Sequence, residues 1–190
     1  MSTLKTASLK HHFLIAMPDM ADPNFAHSIT YICEHNDEGA MGIVVNRPME
    51  LTVADILTHL QITDFDDRLL DQHVLYGGPV QTERGFVLHR TLPHKWDTTL
   101  CVDDDICLTT SRDILVAIAN NEGPAESLVA LGYAGWSAGQ LDHEMAQNAW
   151  LSVKADSDIL FDTPFDRRWQ AAAALLGVDM NLLSSQIGHA

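Results

Sequence analysis

The stretch Tyr76-Gly77-Gly78-Pro79-Val80-Gln81, followed by Arg84-Gly85-Phe86-Val87-Leu88-His89, decides how the rest of the chain is read. Glycine reaches backbone angles closed to other residues, and proline fixes φ and cannot donate a hydrogen bond. A Gly-Gly-Pro segment between two short apolar runs is therefore a backbone device joining two strands, Val74–Tyr76 and Gly85–His89. The bare amides of Gly77-Gly78 could cradle an anion, but a plain turn is the stronger reading.

Working outward, Phe13–Met17 reads as a buried strand. His27–His35 alternates, with Ile29, Tyr31 and Cys33 on one face, as a half-buried strand does. After the turn Asn36-Asp37-Glu38-Gly39, Ala40–Val45 returns as its hairpin partner. Thr52 caps a short helix, Val53 to Leu60, and a polar acidic loop follows from Thr63 to Asp71. Thr99–Val102 and Ile106–Leu108 are short strands. Thr110-Ser111-Arg112-Asp113 opens a helix that turns Ile114, Leu115 and Ile118 inward and ends at Asn121-Glu122-Gly123-Pro124.

Ser127–Tyr133 is almost continuously apolar, which places it centrally in a sheet. A helix over Ala138–Gln147, a strand over Ala149–Val153 and a helical turn over Asp156–Phe161 come next. The final helix opens at Thr163-Pro164 with a buried stripe of Phe165, Trp169, Ala172 and Leu176, and Gly177 stops it. Hairpins early in the chain and interspersed helices argue for an α+β fold with a mixed sheet in a single domain spanning residues 1–190.

The 190 residues are 46% hydrophobic, enough to bury roughly 70% of the unfolded surface without staples. With 26 acidic against 11 basic residues the formal net charge is −15. The densest basic spots, Lys5 with Lys10 and Arg167-Arg168, are thin. Direct contact with nucleic acid or anionic membranes is disfavoured, because both need a basic face. Cys33, Cys101 and Cys107 are odd in number and lack a CxxC pair, which points to reduced, buried thiols. The run Phe13–Met17 is too short for a signal peptide, and no later run spans a membrane. The expected location is the cytoplasm.

The sharpest formal motif is Gly135-Trp136-Ser137-Ala138-Gly139, which matches the nucleophile elbow G-x-S-x-G, with Asp162 and His189 following in triad order. Ser137-Ala138-Gly139-Gln140 is equally a capping box, and that reading is preferred. Ten histidines include the adjacent His11-His12, which diverge on a strand, and none forms H-x-x-x-H. Asp103-Asp104-Asp105 and Asp64, Asp66, Asp67 lack the calcium-loop spacing and read as solvated loops. No metal or cofactor is expected. Arg47, in Asn46-Arg47-Pro48, either pairs with a carboxylate or meets an acidic ligand, and the salt bridge is favoured. Tyr133, Trp136 and Trp150 read as a packed aromatic cluster.

Several stretches together resemble the YqgE/AlgH family. They are His11-His12-Phe13-Leu14-Ile15-Ala16-Met17-Pro18 with Phe25, Gly39-Ala40-Met41-Gly42-Ile43-Val44-Val45-Asn46-Arg47-Pro48, and Tyr76-Gly77-Gly78-Pro79-Val80. Gly132-Tyr133-Ala134-Gly135-Trp136 with Gly139-Gln140-Leu141, Asn148-Ala149-Trp150 and Gly188-His189-Ala190 complete the set. The resemblance implies a strongly curved, branched, barrel-like sheet flanked by helices. It also implies a connection with transcriptional regulation of alginate production. The family motif does not require serine at position 137, and members are often encoded near a Holliday-junction-resolvase-like protein.

No helix-turn-helix is evident, so regulation would be indirect, through an unidentified protein partner. The expected contact surface is Asn46, Arg47, Pro48, Gly77, Gly78 and Pro79. The alternative is a small-molecule binder or enzyme with a pocket near Gly77-Gly78, Tyr133 and Trp136, with a serine hydrolase at Ser137 as its extreme form. No catalytic residue is assigned.

Overall fold

The computed structural model describes residues 8–179. Its sheet contains β1 (His12–Ala16), β2 (Ile29–Asn36), β3 (Gly39–Val44), β4 (Pro48–Thr52) and β5 (His73–Tyr76). The rest are β6 (Val80–Arg90), β7 (Thr99–Cys101), β8 (Ile106–Thr109), β9 (Ser127–Ser137) and β10 (Trp150–Lys154). The helices are α1 (Val53–His59), α2 (Arg112–Ala119), α3 (Gln140–Ala146), α4 (Ser157–Phe161) and α5 (Phe165–Ala174), with a 3-10 turn over Asp67–Leu70. Strands run in the order β10-β1-β2-β3-β9-β6-β8-β7, and β4 and β5 branch from this path. The fold is thus α+β, with a curled, branched half-barrel sheet.

The branch lies where the sequence placed its glycines. β9 pairs parallel with β5 at Leu75↔Ala130 and Tyr76↔Leu131. Farther on, the same edge of β9 pairs with β3, from Gly42↔Ala134 to Gly39↔Ser137. Between these partners, at Gly132 (φ +79), the chain of Gly77-Gly78 crosses against β9. A Cβ on Gly78 would lie 2.1 Å from the Tyr133 carbonyl carbon, and one on Gly77 2.4 Å from the Gly132 carbonyl oxygen. Only glycine allows that approach.

Gly132 also resets the alternation of β9. Ala130 joins the core of the half-barrel and Val129 the opposite face, yet Tyr133 packs against that same core. One strand therefore serves three apolar clusters. The first joins Phe13, Ile15, Tyr31, Phe86 and Leu88 to α4 and α5. The second sets α1 and α2 on Val74, Val87 and Val129. The third sets Leu141 of α3 on Leu14, Trp136 and Trp150.

Local signals account for several elements. Thr52 and Asp55 form the reciprocal capping box of α1. Other expectations are corrected. β4 carries no strand signal in the sequence; Pro48 opens it at a position that needs no amide. β9 runs through Ser137, so α3 starts only at Gln140 with Gly139 as its N-cap. Leu176 is 41% exposed because α5 stops at Ala174, and Arg168 is buried with Ala172 and Ala173 instead.

The reading of all three cysteines as reduced thiols is overturned for two of them. Cys101 and Cys107 face each other across the β7–β8 hairpin and are bonded, leaving only Cys33 free. Cross-strand register brings together what sequence spacing does not advertise.

Candidate functional site

The surface expected around Asn46 and Arg47 is occupied by the protein itself. Asn46 accepts from the Ile29 amide (3.0 Å) and donates to the His27 carbonyl (2.9 Å). Arg47 donates to the carbonyls of Pro23 (3.0 Å), Asn24 (2.6 Å) and Ala26 (2.7 Å). The favoured salt bridge is replaced by three backbone carbonyls that buckle the loop 22–28 onto the end of β3. The Gly77 amide is spent on the Leu131 carbonyl (2.8 Å), so no anion cradle forms there. Gly77 and Gly78 are buried; only Pro48 and Pro79 of the set are exposed.

The aromatic cluster gains Phe25 and loses Tyr133. Phe25 stacks on Trp136 (centroids 6.2 Å) and meets Trp150 edge-on (5.5 Å). Both indole N–H groups donate to Glu144 Oε1, at 3.1 and 3.0 Å. Tyr133 packs on Phe86 instead.

Ser137 does not cap α3. Its hydroxyl and amide both donate to Gln140 Oε1, at 3.2 and 3.0 Å. That is half of the expected box, with the other half missing because Gly139 takes the cap position. Asp162 lies beside Arg90, away from Ser137. His189, like Gly188 and Ala190, lies outside the described residues. Among the described residues no three metal-ligating side chains converge, and no helix is long and apolar enough to cross a membrane.

Three concavities bear on the question. The first, about 600 Å³, opens between α1 and α2. Val87, Val129 and Leu131 form its floor, Ile56 and Leu115 face each other from the helices, and Asp55, His59, Glu83 and Arg112 ring it. Gly85 also lines it, and a Cβ there would meet nothing within 4 Å.

The wall residue Thr109 is pinned by His89, which is 1% exposed. His89 Nδ1 donates to the Arg90 carbonyl (2.8 Å), which leaves Nε2 to accept from the Thr109 hydroxyl (2.8 Å). Burial pushes the His89 pKa below its ordinary value, keeping the ring neutral.

The second concavity, about 660 Å³, contains Tyr133 and Trp136 with Glu34, Arg84 and Phe86, but neither Gly77-Gly78 nor Arg47. The third, about 570 Å³, lies between the 3-10 turn, the loop before β9, and α4 with α5. Arg168 stands in its wall. Sequence reasoning missed Arg168 because it neighbours the exposed Arg167. The available signal was helical phase, since Arg168 stands one turn before Ala172 and three residues after Phe165.

Residues 13–181 match the family described as AlgH-like. A UPF0301 protein of Nitrosococcus oceani is 54% identical over 181 residues, 95% of this chain and 96% of that protein. One from Pseudomonas fluorescens is 57% identical across the whole of both chains. The solution structure of the AlgH protein from Pseudomonas aeruginosa superimposes with a TM-score of 0.80 at 51% identity, covering both chains fully. A Corynebacterium diphtheriae protein shares the fold at 18% identity, with a TM-score of 0.73, over 97% of this chain and 94% of its own.

Proposed function

The chain belongs to the AlgH-like family, and from that premise we propose that it is a cytoplasmic regulatory protein, not an enzyme, that influences transcription indirectly by holding a partner protein. The observation that carries this reading is the apolar cleft between α1 and α2. Its volume, about 600 Å³, suits a few anchoring side chains, and desolvated apolar anchors supply most of the affinity at protein contacts. The net charge of −15 favours a partner segment that flanks its apolar anchors with basic residues. Among the described residues the partner of the Ser137 hydroxyl is Gln140, which is not a base, so the hydrolase reading draws no support from them.

Gly85→Leu tests this reading, because Gly85 lines the cleft and a Cβ there meets nothing within 4 Å, so the new side chain starts from open space. A photo-crosslinking residue at His59, on the rim, should trap one defined protein in the parent strain. The adduct should vanish in the Gly85→Leu background while the protein remains folded. An adduct that persists in that background overturns the assignment. A parallel gel-shift series at low salt is expected to show no affinity for DNA.

The second reading is a small-molecule site. It is favoured by one observation, the placement of Tyr133 and Trp136 in a common concavity with Arg84. Its test is a thermal-shift screen of metabolites, followed by Tyr133→Ala to abolish any hit.

A further inference from the structure

The side chain of Arg168 is an oddity for an acidic protein. The residue is 3% exposed, yet it has no carboxylate partner among the described residues. Its Nε donates to the Thr163 carbonyl (2.9 Å), its Nη1 to the Val45 carbonyl, and its guanidinium lies 4.6 Å over the Phe165 ring. Those contacts fasten α5 to the end of β3. They employ two of the three nitrogens, and among the described residues no carboxylate compensates the positive charge and Nη2 makes no hydrogen bond. Burial alone lowers the Arg168 pKa, to about 10, so the group stays cationic at neutral pH. A buried guanidinium with no counter-charge is costly, and buried charges are ordinarily paired.

The cavity beside it is arranged for the missing charge. Of its lining residues only Glu126 is acidic. Glu126 is held by Arg90, whose Nε approaches its Oε2 at 2.5 Å. A second cation, the largely exposed Arg68, stands in the lining, tethered by Asn121 (2.8 Å) and only loosely paired with Asp66 (4.0 Å). The remaining wall includes Phe161, Phe165, Leu128 and Ile118. Two arginines, a carboxylate engaged by Arg90, and a wall that is apolar on the side of Phe161, Phe165, Leu128 and Ile118 and polar at Gln72, His73 and Ser127 make a receptor for an oxyanion on an apolar body.

We propose that the Arg168 cavity binds a small organic oxyanion, a carboxylate or phosphate ester carried on an apolar or aromatic body, with Arg168 as the buried counter-charge and Arg90 holding Glu126 out of competition. This site is separate from the α1–α2 cleft and does not depend on what that cleft holds.

The test uses phenylacetate and phenyl phosphate as anionic probes and benzyl alcohol as the neutral one. Each is titrated into the full-length protein while amide chemical shifts are followed. One or both anions should saturate with shifts centred on residues 121–128 and 161–168, and benzyl alcohol should bind at least about tenfold more weakly, the worth of one charge-assisted contact. The stronger of the two anions identifies the source of the charge. Arg90→Gln, a surface change that leaves Arg168 intact, should weaken the anion roughly tenfold by freeing Glu126. Arg168→Lys should weaken it as well, since a point charge cannot reproduce the fork. Equal binding of the neutral probe, shifts centred elsewhere, or unchanged anion affinity in Arg90→Gln would each overturn the proposal. So would the absence of any saturable shift with both anions.

Discussion

Two concavities of nearly equal volume, about 600 Å³ between α1 and α2 and about 570 Å³ beside Arg168, are built on opposite principles. In the first, polar groups stand at the rim and the floor is aliphatic. Its wall hydroxyl at Thr109 is satisfied by a neutral histidine. In the second, a charge sits at depth and the apolar side chains surround it. Size therefore says little about what a cavity accepts. The placement of charge relative to solvent says more, because a guanidinium shielded from water interacts far more strongly than one at a rim.

The largest break in this contrast should come from Arg168→Met. Removing the guanidinium relieves a buried charge but strands the Thr163 and Val45 carbonyls, and the stranded acceptors should prevail, for a net cost of about 2 kcal/mol in urea denaturation. A loss below about 1 kcal/mol would mean that water replaces the side chain freely.

A smaller effect concerns pH. Because burial lowers the His89 pKa, the folded state takes up its proton later than the unfolded chain does on acidification. Stability contributed by neutral His89 is thus fully present above the unfolded value of about 6.5 and is lost as pH falls from there towards the folded value. His89→Gln should flatten that slope, as read from denaturation midpoints between about pH 7 and 5. An unchanged slope would assign it to another group.

Smaller again is Arg90→Gln. Arg90 is ringed by Asp105, Glu126, Asp158 and Asp162, within 2.5–3.9 Å. These partners are solvent-exposed, so the loss should stay within about 1 kcal/mol and shrink in high salt. Salt-independent destabilisation would show that the guanidinium matters through packing on Phe161, 5.2 Å away. Least of all, Gly85→Leu should change stability by no more than about 0.5 kcal/mol, since it fills open space at an ordinary φ. A large loss there would mean that the cleft closes in solution.

Much of this architecture is legible in the residues. Gly77-Gly78-Pro79 declares a backbone constraint, Thr52 with Asp55 declares a helix start, and the apolar run from Ser127 declares a central strand. What the pattern cannot convey is the partner in a crossing. Nothing near position 77 indicates that its counterpart is Gly132, because the constraint exists only once two distant segments meet. The same limit applies to function. Arg47 reads as half of a salt bridge or, failing that, as a contact for an acidic ligand, yet it is consumed by carbonyls of a loop some 20 residues earlier. Arg168 reads as half of an exposed basic pair, yet helix phase turns it inward and its neighbour outward. Cys101 and Cys107 become partners only through hairpin register.

The position of β9 has a further consequence during biosynthesis. Strands β3, β5 and β6 all hydrogen-bond to it, so the half-barrel cannot close until residues 127–137 have left the ribosome. Until then β3, β5 and β6 each expose an unpaired edge that invites pairing with other chains. Once β9 threads between them, one event satisfies all three edges.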